Sequence, residues 1–172
     1  VADQVLPGDE VIVCGDTHDG PLTATEAICR DYPFVRYLPH DAGCHDWGHS
    51  QCAAAIAAAT GDFVNGADDD DRWTPGALDA MRAAIVRHGQ VPLLFRFVAN
   101  FGKVVWQRPY VIAPGLVGGH CLCAPNLPSL LGTWGPEYEG DYQFVAGTIA
   151  LWGRAGVVPV WIDRIIARQR DR

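Results

Sequence analysis

Basic charge is in short supply. Thirteen Lys and Arg stand against 20 Asp and Glu, for a formal net charge of −7. Gripping duplex DNA takes clustered Lys and Arg, so no stable duplex-DNA binding is expected. Long apolar runs are missing as well. The longest is the alanine-rich stretch 53–59, too short and too weakly apolar for a transmembrane segment. No leader of basic start, apolar stretch and small-residue cleavage site is visible, and a cytoplasmic location is expected. Neither an internal repeat nor a low-complexity linker interrupts the 172 residues, which read as one domain spanning 1–172. Six cysteines are present, but beside His120-Cys121-Leu122-Cys123 no second pair stands at zinc-finger spacing. Buried, reduced cysteines are the expectation.

What is there is apolar and periodic. Hydrophobic residues make up 49% of the chain, enough for a sizeable core. Residues 10–14 (EVIVC), 34–38 and 62–65 (DFVN) are short apolar runs that read as strands. Between them, residues 22–31 and the alanine-rich 50–60 carry helical spacing, with Thr23 or Thr25 as cap of the first. Thr74-Pro75 predicts a helix start and Gly89 its stop. Strands alternating with helices predict an α/β fold with a mostly parallel sheet flanked by helices, whose ligands bind beyond the carboxyl ends of the strands. Asp16 and the run Asp68 to Asp71 both fall there. The second half predicts a β-ribbon over 91–98 and 103–106, a short strand at 120–123, an amphipathic helix over 141–152 and a last strand over 157–162 with a basic tail.

Asp68-Asp69-Asp70-Asp71 is the sharpest chemical feature. Four adjacent carboxylates repel one another, and a divalent ion with a taste for oxygen, Mn²⁺ or Mg²⁺, relieves the repulsion. On an extended segment alternate residues share a face, which pairs Asp68 with Asp70 as metal ligands. A solvated acidic turn is the bland alternative. His120, after two glycines, reads as a third metal ligand, a phosphate contact or a structural histidine. Trp134 sits in a Gly- and Pro-containing loop, as a face for a sugar ring or as a plug at the core edge. Arg164 and Arg168 offer phosphate contacts or a solvated basic face.

Three blocks together resemble the family-2-type inverting glycosyltransferases: residues 11–20 (VIVCGDTHDG), 48–60 (GHSQCAAAIAAAT) and 61–78 (GDFVNGADDDDRWTPGAL). The last holds an Asp-x-Asp followed by Trp-x-Pro-Gly-x-Leu. The resemblance implies a GT-A fold, a nucleotide-diphospho-sugar donor, Mn²⁺ or Mg²⁺, and an acceptor it leaves unknown: glycan, protein, lipid or modified nucleic acid. It implies donor contacts at Asp16, Asp19, Gln51, Asp68 and Asp69, and metal at Asp68 and Asp70. Glu139-Gly140-Asp141-Tyr142 resembles the family's acidic helix start, with Asp141 as general base and Glu139 toward the acceptor or sugar. The block departs from the commoner Glu-Asp pair, and Asp141 also reads as a helix cap. Residues 1–7 do not supply the family's opening strand, so a sheet lacking that strand is expected. The rival readings are a sugar-nucleotide nucleotidyltransferase, releasing pyrophosphate, and a non-catalytic metal- or carbohydrate-binding module.

Overall fold

The structure is a computed structural model, and it describes residues 3–41, 46–107 and 109–169. Cys44, Arg170 and Arg172 lie outside the described residues. Strand β1 (Val11–Asp16) runs parallel to β2 (Val35–His40), joined through helix α1 (Thr23–Arg30). Helix α2 (His49–Ala58) packs against β1. A larger sheet follows, built from β3 (Phe63–Asn65), β4 (Asp71–Trp73), β5 (Leu93–Val98), β6 (Val104–Val105), β7 (Leu122–Pro125) and β8 (Val160–Gln169). Its order is β3-β7-β5-β8-β4, with β6 on β5. Helices α3 (Ala77–His88) and α4 (Gly140–Arg154) complete the layers.

The alternation of strands and helices is as expected through β3, the short β4 then intervenes before α3, and the sheet is flanked by helices. The larger sheet is mixed rather than mostly parallel, which corrects the expectation. Among the described residues only β5 and β8 are parallel within it; β3 with β7, β4 with β8, β5 with β6 and β5 with β7 are antiparallel. For β5 and β7 the connection is the cause: a parallel pair needs a long crossover, and among the described residues no α-helix lies between them to make one.

Helix starts also differ from expectation. Thr74 does not cap α3: its hydroxyl donates to the Ile165 carbonyl at 2.9 Å, its N–H bonds Ile166, and the helix begins after Gly76 at φ 71°. Thr74 thereby stitches the chain to β8. Neither Thr23 nor Thr25 caps α1, which starts after Leu22 without a side-chain cap. The basic tail is strand as far as Gln169, because β8 has neighbours on both sides.

β5 lies at the centre of the core. Leu93, Leu94 and Phe95 are fully buried, covered by Met81 and Ala84 of α3, Phe144 and Val145 of α4, and Ile166 of β8. Burying such side chains contributes about 1.5–3 kcal/mol each. Cys29, Cys121 and Cys123 are buried, Cys14 and Cys52 half-buried, and all five are free.

One contact is tight enough to forbid a methyl group. The loop at Gly132 lies against α4, where the Gly132 N–H donates to Thr148 Oγ1 at 2.8 Å. A Cβ on Gly132 would collide with the Phe144 carbonyl and stand 2.8 Å from Thr148 N, both backbone atoms. Gly132→Ala should therefore destabilise the fold by about 1–3 kcal/mol, as overpacking does. Urea titration of the two proteins measures it; an unchanged midpoint would show that the loop lifts away freely.

Candidate functional site

The aspartate run is a tight turn, not an extended strand. The Asp71 N–H bonds the Asp68 carbonyl at 3.1 Å, and the Asp68 N–H bonds the Asp71 carboxylate at 3.1 Å. A turn brings its first and fourth residues together, where an extended segment would align the first and third. Asp68, Asp71 and His120 accordingly form one group, with ligand atoms within 4.8 Å of one another. Among the described residues it is the one cluster of three such side chains. Asp69 and Asp70 occupy the centre of the turn and fall outside the group.

Each member is fixed by the fold. Asp71 opens β4, paired with Gln169 of β8. His120 precedes β7, in a short 3-10 turn held by the Cys121 N–H on the Gly118 carbonyl. Its ring meets Phe97 of β5 edge-on, centroids 4.0 Å apart. Asn65, ending β3, donates to the carbonyls of His120 and Leu122. The His120 Nδ1 lies 3.0 Å from Asp71 Oδ2, with the Asp71 side chain only 1% exposed. The other Asp71 oxygen, Oδ1, is buried without a hydrogen-bond partner. An orphaned carboxylate oxygen beside an imidazole and a second carboxylate is a donor set that a divalent cation satisfies.

The electrostatics point the same way. Burial works to lower the His120 pKa, but the hydrogen bond to Asp71 and the charges of Asp71, Asp68 and Asp141 outweigh it and raise the pKa. At Asp68, desolvation raises the pKa; His120 opposes this, while Asp71, Asp70 and Asp141 add repulsion. Excess negative charge is thus gathered around one buried imidazole.

Asp141 belongs to this neighbourhood. Glu139 occupies the cap position of α4, and Asp141 stands in the first turn, so Asp141 is not the cap. Its Oδ1 accepts from the Tyr142 N–H at 2.6 Å. Its Oδ2 lies where a Cβ on Gly118 would come within 3.0 Å. Gly118 and Gly119 thus leave room for a carboxylate and an indole: a Cβ on Gly119 would stand 2.8 Å from Trp134. Trp134 is half-buried, stacked on Phe144 at 4.7 Å and 11°, near His49, with its Nε1 unpartnered. His49 is buried, its Nδ1 2.8 Å from the Gly135 carbonyl, and Gly140 packs directly on its ring. His49, Gly118 and Gly119 went unselected in the sequence. A Gly pair before a histidine was the visible signal; for His49 there was none.

The remaining expected residues are more dispersed. Asp16 is exposed at the end of β1, accepting from the His18 N–H at 2.9 Å. Asp19 and Asp69 are exposed, and Gln51 is buried, accepting from the Ser50 hydroxyl. Arg168 is exposed on β8, opposite Arg72 of β4. Arg164 donates to the Pro75 carbonyl at 3.3 Å.

Comparison with solved structures finds this architecture in S. aureus TarS. Its 1–349 fragment superposes with a TM-score of 0.72 at 17% identity, covering 98% of this chain and 54% of that one. The same fragment in complex with UDP-GlcNAc gives 0.73 at 17%, covering 99% and 52%. The longer TarS structure gives 0.74 at 16%, covering 98% and 32%. The chain therefore spans about half the length of the TarS fragment, or less of the longer structure, and the shared fold is the GT-A α/β fold. No curated protein matches its sequence. The family model described as glycosyl transferase family 2 matches residues 1–135, taking in β1 through β7, the aspartate turn and His120. The chain belongs to glycosyl transferase family 2.

Proposed function

We propose that the protein transfers a sugar from a nucleoside-diphosphate sugar to an acceptor hydroxyl, with inversion at the anomeric carbon. The observation that carries this reading is the buried Asp71–His120 pair, closed by Asp68, with the Asp141 carboxylate beside it. Asp68, Asp71 and His120 would hold Mn²⁺ or Mg²⁺, which when bound offsets the charge of the leaving diphosphate. Asp141 accepts the proton of the acceptor hydroxyl as that oxygen attacks. Its bond to the Tyr142 N–H orients one oxygen and leaves the other to receive the proton. Asp16, Asp19 and Gln51 would contact the nucleoside, and Arg168 the phosphates. The UDP-GlcNAc complex of the similar S. aureus fragment supports a uridine donor as the first to try. Among the described residues no helix is long and apolar enough to cross a membrane.

Binding to the folded state raises its melting temperature. UDP with Mn²⁺ at about a hundred times the dissociation constant should raise it by roughly 5 °C or more, and UDP without metal by much less. Differential scanning fluorimetry reads this directly. Equal shifts with and without metal would remove the cation from the reading. The released product then decides the chemistry: nucleoside diphosphate for transfer, pyrophosphate for nucleotidyl chemistry.

A further inference from the structure

Trp134 was the aromatic expected to meet sugar, yet Phe144 occupies one of its faces and Gly119 its edge. Two other aromatic rings stand open nearby. Trp47 and Tyr138 are 69% and 75% exposed, and their rings meet at 5.2 Å and 82°. Water-exposed large aromatics held against each other by two separate segments are not what a solvated surface requires.

Their backbones are anchored while their rings are presented. Trp47 lies between buried Asp46 and buried His49, at φ 64°, a left-handed conformation that is an outlier for a bulky side chain. Asp46 ties this corner down by accepting from the Ser50 N–H and hydroxyl. Tyr138 sits between exposed Glu137 and Glu139, and the Gly140 N–H bonds the Glu137 carbonyl at 2.8 Å. His49 bolts the two segments together through the Gly135 carbonyl and the packing of Gly140 on its ring. The next residue is Asp141.

We propose that Trp47 and Tyr138 form a corner that seats one neutral sugar ring of the acceptor. The inference rests on the glycosyltransferase reading and names its acceptor class. Two walls near a right angle match a pyranose, whose C–H faces pack on aromatic rings while its rim carries hydroxyls. Glu137 and Glu139, on either side of Tyr138, accept hydroxyl hydrogens and repel phosphate. A neutral or amino-bearing glycan suits this corner, and a phosphate-rich polymer does not. The donor's diphosphate is assigned to the cation that Asp68, Asp71 and His120 would hold; the corner instead adjoins the start of α4, where Glu139 and Asp141 lie.

The test compares the parent with Trp47→Asn and Tyr138→Ala. Asn adopts left-handed backbone readily, so it keeps the turn while removing the ring. The probes are a β-linked glucose tetramer, a β-linked N-acetylglucosamine tetramer and a glycerol-phosphate oligomer, followed by saturation-transfer NMR and tryptophan fluorescence. At least one neutral tetramer should bind the parent, and each variant should weaken that binding by roughly fivefold to tenfold. The UDP–Mn²⁺ melting shift should persist in both variants. The proposal is overturned if neither tetramer binds, if the variants bind like the parent, or if the phosphate oligomer binds as tightly. Loss of the UDP–Mn²⁺ shift in the variants would place the corner on the donor side and overturn it too. A parent with no UDP–Mn²⁺ shift would sink the glycosyltransferase reading instead, while the tetramers still report on the corner.

Discussion

Asp141→Asn is expected to cut sugar transfer by about a hundredfold or more, the scale of a lost general base, with donor binding intact. The substitution is nearly isosteric. The amide oxygen of Asn can still accept the Tyr142 N–H that Asp141 Oδ1 accepts now. Gly118, with no side chain, leaves the same space for the other terminus. Since Glu139 rather than Asp141 occupies the cap position, α4 keeps its start. What disappears is the oxygen able to take a proton. Donor affinity and turnover are measured on the same two proteins once an acceptor is in hand. A variant that turns over at near-parental rate would reduce Asp141 to an electrostatic neighbour of the cluster. The exposed Glu139 would then be the carboxylate to test.

The second large effect separates two assignments within the aspartate turn. Asp71→Asn should abolish the Mn²⁺ increment in melting temperature, and Asp70→Asn should leave it nearly whole. Asp71 faces His120 with a buried side chain and one orphaned oxygen, whereas Asp70 lies outside the group. Loss of groups that merely support metal ligands costs about 10–100-fold in affinity. Loss of a ligand should cost at least as much. Isothermal titration with Mn²⁺ in the presence of UDP gives the ratio. The opposite ranking of the two variants would restore the pairing of Asp68 with Asp70.

Much of the framework was legible because it depends on local pattern. The apolar runs at β1, β2 and β3, the alanine-rich α2 and the amphipathic α4 all follow from periodicity and breakers. So does the placement of Asp16 and the aspartate run at strand ends. Two differences share a cause in distant contacts. Thr74 looks like a cap, but β8 offers its hydroxyl a carbonyl from the far end of the chain. β4 is three residues long and polar, and it is a strand only because β8 pairs with it. The grouping of the aspartates differs for a local reason: alternation holds in strands, and the aspartates form a hydrogen-bonded turn that gathers Asp68 with Asp71. His120 was selectable from its glycines, but its partner Asp71 was not. The contact between Trp47 and Tyr138 joins two loops that nothing in the sequence links.

The pairing of β4 with β8 also sets an order of events during synthesis. Asp71 leaves the ribosome before its partner, because among the described residues β4 has β8 as its sole strand partner, and β8 follows it in the chain. The nascent chain therefore carries the aspartate turn for about a hundred residues before its flank can be pinned. A cation held by Asp68, Asp71 and His120 would therefore meet its finished donor set only once β8 has docked.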